Sequence, residues 1–224
     1  MSKPLHVLII DDHLAIIEYY ERIFSYLSTN ANFVFEIDTA TNCDAAMLKL
    51  KNAFKTNPYD LIFLDISLPP SKDGTILSGE DLGKVIRQLF NSTKIVVSTH
   101  LNNNYRINNI FNNINPEGFL IKGEAGFNHF TEAIKMVLND TPYYTKTVLE
   151  LLRKNVMNDF NLDEKDRQLL YELSKGTKMK DLPKTINLSI GGIERRKRLL
   201  KQTFNVSKKS DLVLIKTAQE YGVL

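Results

Sequence analysis

Leu61-Ile62-Phe63-Leu64-Asp65-Ile66-Ser67-Leu68-Pro69 is a short apolar run that closes on a carboxylate. It is too short and too continuously apolar for a surface helix, and reads as a strand buried on both faces, as in a parallel sheet. A second run, His6-Val7-Leu8-Ile9-Ile10, closes on Asp11-Asp12. In an open parallel α/β sheet the strand C-termini share one edge, where such folds place their ligands. Three carboxylates from two neighbouring strands therefore converge there. Like charges at that spacing repel, and a hard divalent cation such as Mg²⁺, which takes a few carboxylates and leaves positions for water and phosphate oxygens, relieves the repulsion.

A carboxylate after a strand is often only the N-cap of the next helix, and Asp11 or Asp12 has that alternative for a helix beginning near Leu14. Two further strand-length runs favour the site. Lys94-Ile95-Val96-Val97-Ser98-Thr99 ends in a hydroxyl pair and Gly118-Phe119-Leu120-Ile121-Lys122 ends in an ammonium, both at the carboxylate edge. A phosphorylated aspartate carries added negative charge and acceptor oxygens, for which a hydroxyl and a lysine are the matching donors.

In these residues the chain resembles the receiver domain of two-component response regulators, whose marks are an acidic pair, an acceptor aspartate, a Thr/Ser and a lysine. The resemblance implies a flavodoxin-like α/β fold, a doubly wound parallel five-stranded sheet over residues 1–140. It implies that Asp65 accepts phosphate from a sensor histidine kinase. Mg²⁺ is then held by Asp12 directly, Asp11 mainly through water, Asp65, and the main-chain carbonyl of Ser67. Thr99 and Lys122 each hold a phosphoryl oxygen, and Phe119 is the aromatic whose rotamer reports the switch. No enzyme activity is implied beyond Mg²⁺-dependent self-phosphorylation and self-dephosphorylation.

Three features depart from the family pattern. Pro70 to Ser78 lengthens the loop between the acceptor strand and Gly79-Glu80-Asp81-Leu82-Gly83, bulky His100 follows Thr99, and Gly123 follows Lys122 where proline is common. The segment 102–114 holds seven asparagines, which disfavour helix interiors, yet Ile107, Ile110, Phe111 and Ile114 form one apolar stripe. It reads as a remodelable helix.

The chain has 224 residues, 43% of them hydrophobic, and 25% charged. That composition suits one or two packed domains. The longest N-terminal apolar run is only a strand, so the expectation is a cytoplasmic protein without a signal peptide or membrane span. Cys43 is the single cysteine and reads as a small buried residue; His6, His13, His100 and His129 show no metal-ligand spacing. Residues 1–149 carry 13 Lys+Arg against 16 Asp+Glu, and residues 150–224 carry 16 against 10. The change of sign suggests an acidic phosphotransfer domain joined to one with an anionic partner. Thr141-Pro142-Tyr143-Tyr144 breaks a helix, and a short amphipathic helix starting at Val148 falls within a linker at 141–160.

Residues 161–224 read as a small all-helical unit. Asp163 caps a helix with Asp166 three residues on, Leu169, Leu170 and Leu173 form its apolar face, and Gly176 ends it. A short second helix runs to Ile186. Ser189 caps a third that runs to Phe204 with Ile193 and Leu200 inward, which is helix-turn-helix order. The pattern Leu162-x(4)-Arg167-x-x-Leu170-x(5)-Gly176, with Leu182, Ile186, Leu188-Ser189, Ile193 and Phe204-Asn205-Val206, resembles the LuxR-type (NarL/FixJ-type) DNA-binding domain. The resemblance implies that the third helix enters the major groove of promoter DNA, with Ser189, Glu194, Arg195, Lys197, Arg198 and Lys201 as contacts and a homodimer forming on phosphorylation. Arg195 and Arg198 match the reading positions, Lys197 and Lys201 phosphate contacts, and Arg196 pairs with an acid of its own domain. Pro183 moves the start of the second helix toward Asp181. Gly191 and Gly192 sit in the first turn of the third helix, and Glu194 stands where lysine is common, a residue suited to cytosine N4.

Two other readings stand beside this one. The helical unit binds an acidic protein instead of a promoter, or Asp65 is the nucleophile of a phosphohydrolase. The latter needs a second carboxylate two residues on, where Ser67 stands.

Overall fold

The computed structural model describes residues 3–31, 33–100, 104–157 and 162–224. The chain divides into two compact units, Met1–Asn102 with Asn109–Val148, and Asn103–Asn108 with Leu149–Leu224.

In the first unit strands and helices alternate: β1 (Leu5–Ile10), α1 (Leu14–Asn30), β2 (Phe35–Ala40), α2 (Cys43–Lys55), β3 (Leu61–Leu64), α3 (Gly79–Leu89), β4 (Lys94–Thr99), α4 (Asn104–Ile114), β5 (Gly118–Ile121), α5 (Phe127–Leu138) and β6 (Tyr143–Tyr144). The sheet is parallel in the order β2-β1-β3-β4-β5-β6. Period-two alternation sends Val7, Ile9, Leu61, Phe63, Val96 and Leu120 into one core with Ile17, Tyr20, Phe24 and Leu27 of α1 and Phe130, Ile134 and Val137 of α5. Each such side chain contributes about 1.5–3 kcal/mol by leaving water. On the opposite face a side chain at Gly83 would overlap Ile114 and come within 3.1 Å of Leu64, so its absence lets α3 lie against β3 and α4.

The five expected strands are present, and β6 is an addition. Tyr143-Tyr144 does more than break α5: it pairs with Gly118 and Phe119 of β5. The Tyr143 and Thr145 amides donate to the Glu117 and Phe119 carbonyls at 3.0 Å, and the Thr145 hydroxyl accepts from the Ile121 amide at 3.2 Å. The sheet-bearing unit therefore extends beyond residue 140. A two-residue edge strand carries no periodic signal of its own, because its stability comes from the main chain of β5.

The helix read over 102–114 is observed as Asn104–Ile114, its first two positions lying outside the described residues. Ile107, Ile110 and Ile114 are buried, and Phe111 stacks on Phe119 with centroids 5.6 Å apart. Arg87 of α3 fixes the far end, donating to the carbonyls of Ile114, Asn115 and Thr93 and to the Glu117 carboxylate.

The C-terminal part of the second unit begins within α6 (Lys146–Met157) and holds α7 (Glu164–Ser174), α8 (Leu182–Ile186), α9 (Ile190–Thr203) and α10 (Asp211–Glu220). Linker positions 158–160 lie outside the described residues. Asp163 and Asp166 form the capping box of α7, Gly176 beyond its end has φ +78°, and Pro183 sits in the first turn of α8 with Asp181 as N-cap. Ser189 accepts from the Gly192 amide to cap α9. Leu169, Leu170, Leu182, Ile186, Ile193, Leu200 and Phe204 share one core with Leu214 and Ala218 of α10, a fourth helix beyond the helix-turn-helix.

Candidate functional site

The carboxylates meet at the C-terminal edge of the sheet because their backbones belong to it. The amides of Asp11, Asp65 and Lys122 donate to the carbonyls of Ala40, Ile10 and Thr99 on adjacent strands. The Lys122 Nζ lies 2.6 Å from Asp11 Oδ2 and 2.8 Å from Asp65 Oδ2, with side-chain exposures of 6%, 1% and 3% respectively. Asp65 Oδ1 accepts from the Ser67 amide at 2.9 Å. Thr99 ends β4 fully buried, His100 beside it is exposed, and Phe119 is buried.

Asp11 and Asp12 do not cap α1. Its N-cap is His13, whose amide donates to Asp11 Oδ1 at 3.0 Å before the helix begins. The His13 imidazole lies 2.8 Å from Asp12, so Asp11, Asp12, His13 and Asp65 each offer one ligand atom within 4.8 Å of the others. His13 thus stands beside the carboxylates of the cluster. Spacing between histidines could not reveal it, whereas its adjacency to the acidic pair was the available signal. The group suits a hard divalent cation, since three carboxylates dominate it.

Below the carboxylates, the Tyr20 hydroxyl donates to Ser98 Oγ at 2.7 Å. Burial, aided by the charges of Asp11 and Asp65, pushes this phenol well above its ordinary value, so it stays a proton donor. In sequence Tyr20 was indistinguishable from the apolar stripe of α1.

Residues 7–135 match the response regulator receiver domain family. The chain belongs to that family. Over 94 residues it is 34% identical to stress response regulator protein 1 of Scheffersomyces stipitis, a stretch covering 41% of this chain and 28% of that protein. This chain thus spans little more than a quarter of that relative. Among solved structures it resembles a complex of the two-component response regulator RcsB with DNA, at TM-score 0.62 and 21% identity over 97% of this chain and 98% of the other. RcsB from Salmonella enterica serovar Typhimurium, bound to promoter P1flhDC in the presence of phosphomimetic BeF3-, gives TM-score 0.61 and 22% identity over 99% and 100%. At these identities the likeness is one of fold.

The long loop of this receiver is a built element. The Ser71 amide donates to the Ile76 carbonyl, the Ser71 hydroxyl donates to Asp73 and accepts from the Ile76 amide, and Gly74 turns the chain at φ +68°. The Lys72 amide donates to Asp44 of α2 and the Leu77 amide to Asp81 of α3. The loop closes where the Gly79 amide donates to the Ile66 carbonyl at 3.1 Å. Cys43 is buried as expected, its thiol directed at the Pro69 carbonyl, and burial pushes that thiol up.

In the helical unit the basic residues of α9 divide into two groups. Glu194, Arg195 and Arg198 are exposed, as is Ser189. Arg196 pairs with Asp163 and Asp166, as the sequence implied. Lys197 and Lys201, the expected phosphate contacts, both pair with Asp211 of α10. The fourth helix of the unit supplies that carboxylate. Burial alone would raise the carboxyls of Asp163 and Asp211, but it is outweighed. Hydrogen bonds from the Asp166 amide and Arg196 hold Asp163 below the usual carboxylate range, and those from Lys201 and Lys197 hold Asp211 there. A depressed folded-state value gives stability that is present above the unfolded value, about pH 4, and lost as pH falls through the folded one. The thermal midpoint of this unit is therefore expected to be flat from pH 7 to 5 and to drop below about pH 4, and Asp163→Asn with Asp211→Asn should flatten the drop.

Proposed function

We propose that this chain is a phosphorylation-gated, DNA-binding transcription regulator. The observation that carries the reading is the Lys122 ammonium held between Asp11 and Asp65 at the sheet edge, a geometry suited to a newly added phosphoryl group. A sensor histidine kinase supplies that group: a carboxylate oxygen of Asp65 attacks phosphorus, the P–N bond of the phosphohistidine breaks, and an acyl phosphate forms. Asp11, Asp12 and Asp65, with the Ser67 carbonyl, would hold Mg²⁺, which supplies positive charge to the transferring oxygens. Lys122 then turns from Asp65 to a phosphoryl oxygen, and Thr99 donates to another. Phe119, packed against Phe111 of α4, carries the change to the outer face of the receiver. The receiver acts on itself in this scheme and turns over no other substrate.

For the helical unit, the helix-turn-helix order, the exposed Arg195 and Arg198, and its net positive charge support promoter DNA as the partner. Phosphorylation would promote a homodimer matching two half-sites. The likeness to RcsB, solved bound to promoter DNA with a phosphomimetic, agrees in fold across both units. Among the described residues no helix is long and apolar enough to cross a membrane, which fits a cytoplasmic regulator.

The test is selection of genomic fragments by the purified protein, with and without beryllofluoride and Mg²⁺. Enrichment of a repeated motif is expected only with both present, and Asp65→Asn is expected to abolish the dependence. Absence of enrichment in either state would favour a protein partner for the helical unit.

A further inference from the structure

α9 carries five cations between Arg195 and Lys201, and the family pattern gives all but Arg196 to DNA. The fold does not. Asp211 stands at the first position of α10, fixed by the Ser210 cap and by burial of Leu214 and Ala218. Its two oxygens are used separately: Oδ2 lies 3.0 Å from Lys197 Nζ and Oδ1 2.7 Å from Lys201 Nζ. Lys201 also donates to the Lys209 carbonyl at 2.8 Å. The two lysine side chains are only 21% and 16% exposed. Among the described residues, Glu194, Arg195 and Arg198 show no ion pair.

Sequence-independent affinity for DNA grows with the number of phosphates that Lys and Arg neutralise, whereas discrimination comes from side chains that reach base edges. An exposed salt bridge is worth no more than about 1 kcal/mol, which alone would not withhold a lysine from phosphate. Here, however, both lysines are half-buried and share one carboxylate, so releasing them would leave Asp211 unpaired beside an anionic duplex. We propose that Asp211 is a specificity-determining residue. By retaining Lys197 and Lys201 it lowers affinity for DNA of any sequence and leaves recognition to Glu194, Arg195 and Arg198. The inference rests on the DNA-binding reading above.

The experiment measures binding of the full chain, as wild type and as Asp211→Asn, to a random-sequence duplex and to a selected duplex across a salt series. Freeing two lysines should steepen the log–log salt slope by about 1–2 and tighten random-duplex binding about ten- to thirtyfold at 0.15 M salt, narrowing the ratio between the two duplexes. A folded Asp211→Asn with wild-type slope and random-duplex affinity overturns the inference. The double variant Lys197→Gln with Lys201→Gln decides it independently of how Asp211→Asn folds. It should keep the wild-type slope to within about 0.5, and a loss of about 2 overturns the proposal. Binding to neither duplex by wild type or variants would overturn the DNA reading itself.

Discussion

Lys122→Met is expected to destabilise the receiver by about 3–5 kcal/mol, the cost of leaving a buried charge without its partner. The side chain keeps its length and loses its ammonium, so Asp11 and Asp65 face one another across the place that held the countercharge. Circular dichroism during heating should show the receiver transition lowered by on the order of 10 °C. Mg²⁺ separates this cause from simple mispacking. A cation binding the folded cluster stabilises by about 2.7 kcal/mol at a hundred times its dissociation constant, so millimolar Mg²⁺ should recover more stability in the variant than it adds to the wild type. An equal increment in both proteins would mean that Lys122 and the cation serve different charges. Beryllofluoride should still reach Asp65, but without the ammonium it should be held more weakly.

Gly79→Ala is the second large effect. A Cβ at this position would overlap the Asp65 carbonyl oxygen and lie 2.7 Å from Ile66 Cα and 2.9 Å from Asp65 C. All three atoms are backbone at the end of β3, so no rotamer change gives relief. The cost should reach or exceed the top of the roughly 1–3 kcal/mol range for overpacking. Because the displaced residue is the acceptor, beryllofluoride uptake should also fall, and an ångström of misplacement can cost on the order of a hundredfold at a reacting centre. Gly74→Ala is the control: nothing lies within 4 Å of its Cβ, so only the left-handed φ of +68° is strained, at roughly 1–2 kcal/mol. A Gly79→Ala variant as stable and as reactive as Gly74→Ala would remove α3 from the support of the acceptor.

The contrast between these sites shows what was legible in sequence. Asp11, Asp65, Thr99 and Lys122 could be read because each closes a short apolar run, and a parallel sheet brings such ends together without further information. Gly79 could be seen as the end of the long loop but not as a close approach, since the neighbour it needs is 14 positions earlier in the chain. Tyr20 was hidden by its own ring, which packs as any core aromatic would against Phe63 and Phe130. The division of cations on α9 was legible only in part. Arg196 stands apart by its position in the family pattern, but Lys197 and Lys201 are neutralised by a residue of the following helix, whose approach depends on the core around Leu214.

The short edge strand β6 bears on how this receiver would be recombined with other output modules. A fusion made directly after α5 would look natural from the helix boundary, yet it would discard the residues that close the sheet beside β5. The transferable cassette ends after Thr145, whose hydroxyl engages the Ile121 amide one position before Lys122. A chimera built with that junction keeps the pairing of β6 with β5 and the bond to the Ile121 amide, while one built at Leu138 loses both.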